Sequence, residues 1–133
     1  MAIITALCES YKRELLMGIH AITDDYRMAL FVEGARLSSA TTSYSNEDEA
    51  IGVGYEAGGI PIPNMRVESN GYESYIDFDT VVYNSLTIAA GGCLIYNASK
   101  ENRAVAVFNF GETLLARNGK IEIESPNGII HLK

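Results

Sequence analysis

The sequence predicts a mainly β protein: a single antiparallel β-sandwich, jelly-roll-like, with one amphipathic α-helix at the N-terminus. Three observations predict it. Apolar residues recur at spacings of three and four only at the start of the chain, and at spacings of two afterwards. Turn-forming Asn and Gly residues then follow at the regular intervals of an antiparallel sheet. The 133 residues, 47% of them hydrophobic, suffice for one core, so residues 1–133 read as a single domain.

Ile4, Cys8, Tyr11, Leu15, Ile19 and Ile22 form the first pattern, with Glu9, Lys12, Arg13 and Glu14 on the other side. This spacing predicts a helix over 5–20, supported by a Glu9–Arg13 pair one turn apart, weakened at Gly18, and followed by a turn at Thr23-Asp24-Asp25. From residue 26 onward the chain reads as β, beginning with the alternation of Met28, Leu30 and Val32. Further strands are expected at 50–55, 64–68, 72–78, 86–96 with a break at Gly91-Gly92, 103–110, 120–124 and 128–132. Turns are expected at Gly34, Gly58-Gly59, Asn70-Gly71, 97–102, Asn118-Gly119 and Asn127-Gly128. Branched and charged residues alternate in 120–124, so one face of that strand meets water. Residues 103–110 are apolar on both sides, which places that strand in the middle of a sheet. The Ser- and Thr-rich stretch 37–49 is the irregular part and reads as a long surface loop or extended arm.

Ten basic against seventeen acidic residues give a net charge of −7 and a pI near 4.7, which opposes contact with a nucleic-acid backbone. The first residues lack the basic-then-apolar order of a secretory signal, and no apolar run approaches the ~20 residues of a membrane helix. Neither nucleic acid nor membrane is an expected partner. Cys8 and Cys93, each set among apolar residues, read as structural free thiols, with a disulfide or a reactive nucleophile as the alternatives.

Catalytic chemistry finds little support. Only two histidines occur, His20 near the helix end and His131 near the C-terminus, and no HExxH, GxSxG, CxxC, Walker or GxGxxG pattern is present. Asp24-Asp25, Glu47-Asp48-Glu49 and the pair Asp77 and Asp79 could gather around Ca²⁺, but no EF-hand-type loop accompanies them, and solvated strand faces are the commoner explanation. No metal, cofactor or catalytic residue is expected. Eight tyrosines without a tryptophan fit either a sugar-binding surface or a protein interface, and the interface is favoured because tyrosine buries area while keeping its hydroxyl paired. The candidate interface residues are Tyr11, Leu15, Tyr44, Tyr55, Tyr72 and Tyr75. The glycines of 52–59 are followed by neither Lys nor a helix pattern, so they read as a bulge and tight turn and not as a phosphate cradle.

Several segments together resemble a family of small virion structural proteins of tailed bacteriophages: residues 10–20 (SYKRELLMGIH), 26–31 (YRMALF), 52–59 (GVGYEAGG), 76–79 (IDFD), 90–97 (AGGCLIYN) and 102–111 (NRAVAVFNFG). The resemblance spans nearly the whole chain and its elements are structural. Where that family usually carries a tryptophan after the Asp-Phe pair, this chain has Val82 and Tyr83, and its loop after Gly111 is shorter. The resemblance implies a capsid decoration or cement protein, made in the host cytoplasm and located on the outer capsid surface of the virion. Its implied partners are the major capsid protein and other copies of itself, as a homodimer or homotrimer. Contacts would run through the N-terminal helix, the 37–49 arm and strand edges. The alternatives are a tail, collar or fibre component, or a carbohydrate-binding adhesion module on the virion using tyrosines such as Tyr44 and Tyr72.

Overall fold

The computed structural model describes residues 3–124 and 130–132. Its elements, in chain order, are β1 (Ala6–Leu7), α1 (Glu9–Leu16), β2 (Tyr26–Phe31), β3 (Ile60–Pro61), β4 (Arg66–Ser69), β5 (Ser74–Asp77), β6 (Val81–Asn97), β7 (Arg103–Ile123) and β8 (Ile130–Leu132). The protein is mainly β and every strand pair is antiparallel. One sheet has the order β1-β7-β6-β2-β3, and β4-β5-β8 form a second, smaller one.

The organising feature is the hairpin of β6 and β7, 17 and 21 residues long. Sequence reasoning divides each into shorter pieces; the chain instead stays extended and takes up its irregularities as bulges. Register shifts fall between Tyr83 and Leu86, Leu86 and Ile88, Ala90 and Gly92, and Ile95 and Tyr96. The expected Asn118-Gly119 turn is one such site. Asn118 has φ 53° and its N–H donates to Thr87 Oγ1 at 3.0 Å, so the left-handed preference that makes Asn-Gly a turn signal here serves a bulge. The Asn127-Gly128 turn lies outside the described residues.

The inner half of the hairpin carries the core. There β2 adds to β6 and β1 to β7, and Met28, Leu30, Phe31, Leu94, Ile95, Val105 and Val107 are all buried. The first half of β7 is therefore central and covered on both faces, as its apolar sequence requires, with α1 packed against it. In the last part of β7, Ile121 is buried while Lys120 and Glu122 face water, matching the alternation.

The helix is shorter than its apolar period suggests. Ala6 and Leu7 pair with Val107 and Ala106 instead of joining it. At the other end Gly18, φ 75°, stops it: Gly18 N–H bonds to Leu15 O and Ile19 N–H to Glu14 O, a Schellman motif. Cys8 at the N-cap makes no side-chain cap, and the Glu9 N–H finds Ser39 O at 2.8 Å instead.

That bond belongs to a wider correction. Residues 37–49 do not project as a free arm. Ile4 N–H donates to Leu37 O, Tyr44 N–H to Asn102 O, Ala104 N–H to Thr42 O, and Val32 N–H to Asp48 O. The segment is laid along the sheet from the helix start to the end of β2, because its backbone groups find partners there that a projecting loop would lack. Residues 50–55, expected as a strand, make one isolated bridge, Val53 to Thr87.

Candidate interaction surface

Tyr11, Leu15, Tyr44, Tyr55, Tyr72 and Tyr75 are not gathered on one surface. Tyr11 is 1% exposed, its ring 4.7 Å from that of His20, and burial pushes its phenol up to about 12. It presents nothing to a partner, which corrects the expectation for that residue. Leu15 is half-buried against the core. Tyr44 stacks on Tyr96 with centroids 4.7 Å apart and planes 16° from parallel, so the face turned to Tyr96 is not available to a sugar ring. Tyr55 is half-buried and engaged through its hydroxyl. Tyr75 is half-buried in β5, opposite Glu68 and His131. Tyr72, 77% exposed between β4 and β5, is the one that stands open to solvent.

The hydroxyls of Tyr44 and Tyr55 converge on a residue that sequence reasoning assigns to an acidic surface cluster. Glu49 is buried. Its Oε1 accepts from the Tyr44 hydroxyl, and its Oε2 accepts from the Tyr55 hydroxyl and from Gly58 N–H at 2.8 Å. The Tyr55 oxygen also accepts Leu30 N–H, and the Tyr96 hydroxyl donates to Gly58 O. Burial first, and the adjacent Glu49 second, push the Tyr44 and Tyr55 phenols well above their ordinary range. This clamp ties the 37–49 segment and the 55–59 turn to β2. A cleft of about 210 Å³ beside it is lined by Asn46, Glu49, Ala50, Ile51, Tyr55 and Ala57. The available signal was position: Glu49 is the last of three acids and directly precedes the apolar Ala50-Ile51.

A second buried network joins the helix to the hairpin tip. Glu14 accepts from His20 Nε2 at 2.8 Å and from Arg103 at 2.9 Å; burial raises its carboxyl, and these two partners outweigh that and hold it below its usual range. Asn97 Nδ2 donates to His20 Nδ1 and to Asp24 Oδ2, each at 2.9 Å, while Asn97 Oδ1 accepts Ser99 N–H. The imidazole is thus held with a donor on one nitrogen and an acceptor on the other, enclosed and out of reach of any substrate. Asp24 also receives Lys100 and the Ala21 N–H. The Asn97 bond first, and Lys100 second, hold its carboxyl down at about 2.

The folded state therefore resists protonating Asp24. Its contribution to stability is complete above the unfolded value of about 4 and is lost as pH falls through about 2. Thermal melts at pH 5 and pH 2.5 are expected to show a smaller acid-induced drop in Asp24→Asn than in the natural chain; equal drops would refute this assignment.

Another cluster of charged groups is paired within itself. Arg66 binds Glu68, Asp77 and Asp79 at 2.9–3.2 Å, so the expected acidic strand face is drawn together around one guanidinium. Among the described residues, no group of three or more His, Cys, Asp or Glu is gathered as a metal would require. Cys8 and Cys93 are free and buried, and burial pushes both thiols to about 12, far from a nucleophilic thiolate.

Several large apolar side chains stand exposed. On the outer half of the hairpin, Val53 pairs with Thr87 and Leu115 with Ala89, which puts these residues on one side of the sheet. Val53 is 73% exposed, Leu115 62%, and Ile51 93%. Sequence reasoning missed this surface, although Ile51-Gly52-Val53-Gly54 carries a signal for it. Gly52 and Gly54 lie flush on β6, where a Cβ would come within 2.2 Å of Thr87 O and 2.3 Å of Ser85 O. A second exposed group, Leu16 and Met17, ends the helix. No helix among the described residues is long and apolar enough to cross a membrane. Comparisons of the chain with protein-family models, with curated proteins and with solved structures each returned no match.

Proposed function

We propose that this chain is a capsid decoration, or cement, protein of a tailed bacteriophage, which binds the assembled major-capsid shell on its outer surface and stabilises it without catalysis. The observation that carries this reading is the division of labour on the molecule. Its buried titratable groups, Glu14, His20, Asp24 and Glu49, are locked in internal networks, while large apolar side chains, Leu115 on the β6–β7 hairpin and Ile51 and Val53 in the segment laid beside it, stand on the surface. A surface built in that way gains free energy by burial against another protein. The family resemblance over most of the chain points the same way, and the net charge of −7 favours separation of coated particles in solution. The finer architecture proposed with it is a jelly-roll-like sandwich in which the small sheet forms the second layer.

The mechanism is linkage. A ligand that binds the assembled shell and not the free subunit stabilises the shell by about 2.7 kcal/mol per site at a hundred times its dissociation constant, multiplied over many copies. Particles assembled without the chain are expected to rupture at lower temperature than complete ones, and addition of the purified protein is expected to restore the difference. Particles that melt and fill with DNA identically in its absence would overturn the reinforcing role. Immunogold label on the tail end would overturn the shell location in favour of a tail, collar or fibre position.

A further inference from the structure

We propose that two copies of this chain pair edge to edge through β7, antiparallel, about a two-fold axis at Ile121. This goes beyond the proposed function and deepens the self-association that the family resemblance implies, but it stands on the strand edge alone.

The hairpin is asymmetric. On the side away from β6, β7 is joined by β1 only at Ala106 and Val107, and just beyond them Asn109 is held by Thr5 and Ile3. From Phe110 to Ile123 no strand lies on that side among the described residues. An open edge of this length offers a row of unpaired N–H and C=O groups, which proteins either block or use. One way of blocking is like charge that repels an incoming strand. Here Lys120 and Glu122 follow each other on one face with Nζ and Oε2 3.5 Å apart, so the edge carries no net repulsion at that point.

The same two residues make the edge self-complementary. In an antiparallel pair centred on Ile121, Lys120 faces Glu122 of the second copy and Glu122 faces its Lys120. Ile121 meets its own counterpart, and Ile123 lies opposite Gly119. Each pairing keeps inward residues with inward and outward with outward, since Ile121 and Ile123 stand opposite Tyr83 and Val81 on the core side. Gly119 leaves room for the larger side chain: a Cβ there would meet nothing nearer than Arg117 O at 3.7 Å. Moving the register by one residue sets Ile121 against a charge. Moving the axis by one residue, to Lys120 or Glu122, puts like charges face to face on it. Among registers near this point, the one at Ile121 satisfies both the faces and the charges.

The test uses the full-length chain. Sedimentation velocity is expected to show a dimer. Lys120→Glu and Glu122→Lys each oppose like charges twice across the axis and are expected to weaken self-association about tenfold or more. Both side chains are half or more exposed, and an unchanged far-UV spectrum and melting temperature check that folding is intact. An equimolar mixture of the two variants restores unlike pairs at both positions and is expected to recover the dimer, an outcome the contact within one strand does not produce. A monomeric or trimeric natural chain, single variants that associate as before, or a mixture that stays monomeric would each overturn the pairing. A monomer that still protects shells overturns this inference alone, whereas a β7-paired dimer that ignores shells overturns only the proposed function.

Discussion

Gly59→Ala is expected to destabilise the protein by about 2–5 kcal/mol, the largest effect of any single methyl group added to this chain. Two penalties coincide at this position. Its φ is 76°, in the left-handed region, where an alanine costs roughly 1–2 kcal/mol. Its added Cβ would stand 1.8 Å from Met28 O and 2.6 Å from Met28 C, both backbone atoms that have no rotamer into which to retreat. Relief requires the 55–61 segment to lift from β2. That movement threatens the pairing of Met28 with Ile60, the Ile62 N–H bond to Tyr26 O, and the Arg27 bond to Gly59 O. Gly34 is the control: it has ordinary φ and nothing within 4 Å of an added Cβ, so Gly34→Ala is expected to be neutral or slightly stabilising. Urea denaturation of the three proteins measures both. A Gly59→Ala midpoint within error of Gly34→Ala would show that the segment is not seated on β2 as described.

The contrast between these glycines also marks what the sequence could reveal. Gly58-Gly59 was legible as a turn because two consecutive glycines are a local signal. That Gly59 must also lie against Met28 was not, since the contact joins residues 31 positions apart. The same boundary runs through the whole molecule. The helix, β2 and the alternation of 120–124 follow from neighbours in sequence and were readable. The union of 103–110 and 120–124 into one strand was not, because Asn118-Gly119 carries the same left-handed preference whether it ends a strand or bulges it. His20 looked like a helix-end residue and proved to be a buried bridge to Asn97, 77 residues away. Tyr44 and Tyr55 were read as surface because tyrosine is common there; a buried carboxylate that collects their hydroxyls is a tertiary fact with almost no local trace.

Glu49→Gln is therefore expected to cost about 2–4 kcal/mol although it changes one atom. The carboxylate accepts three hydrogen bonds, from Tyr44, Tyr55 and Gly58 N–H, and offers only lone pairs to them. A glutamine must turn its NH₂ toward at least one of these donors, leaving a buried donor unsatisfied, and it removes the charge that strengthens the others. Tyr44→Phe removes one donor while the carboxylate keeps two, so a smaller loss of about 1–2 kcal/mol is expected. Combining the two substitutions is expected to cost less than their sum, because glutamine can then point its NH₂ into the space that Tyr44 has vacated. The consequence reaches the surface. Glu49 holds the segment that continues directly into Ile51 and Val53, so a loosened clamp is expected to increase hydrogen exchange first at 44–59 and to weaken attachment to shells before the fold is lost. Strict additivity, or exchange that rises uniformly along the chain, would show that Glu49 is one more surface acid and that the apolar face is positioned by something else.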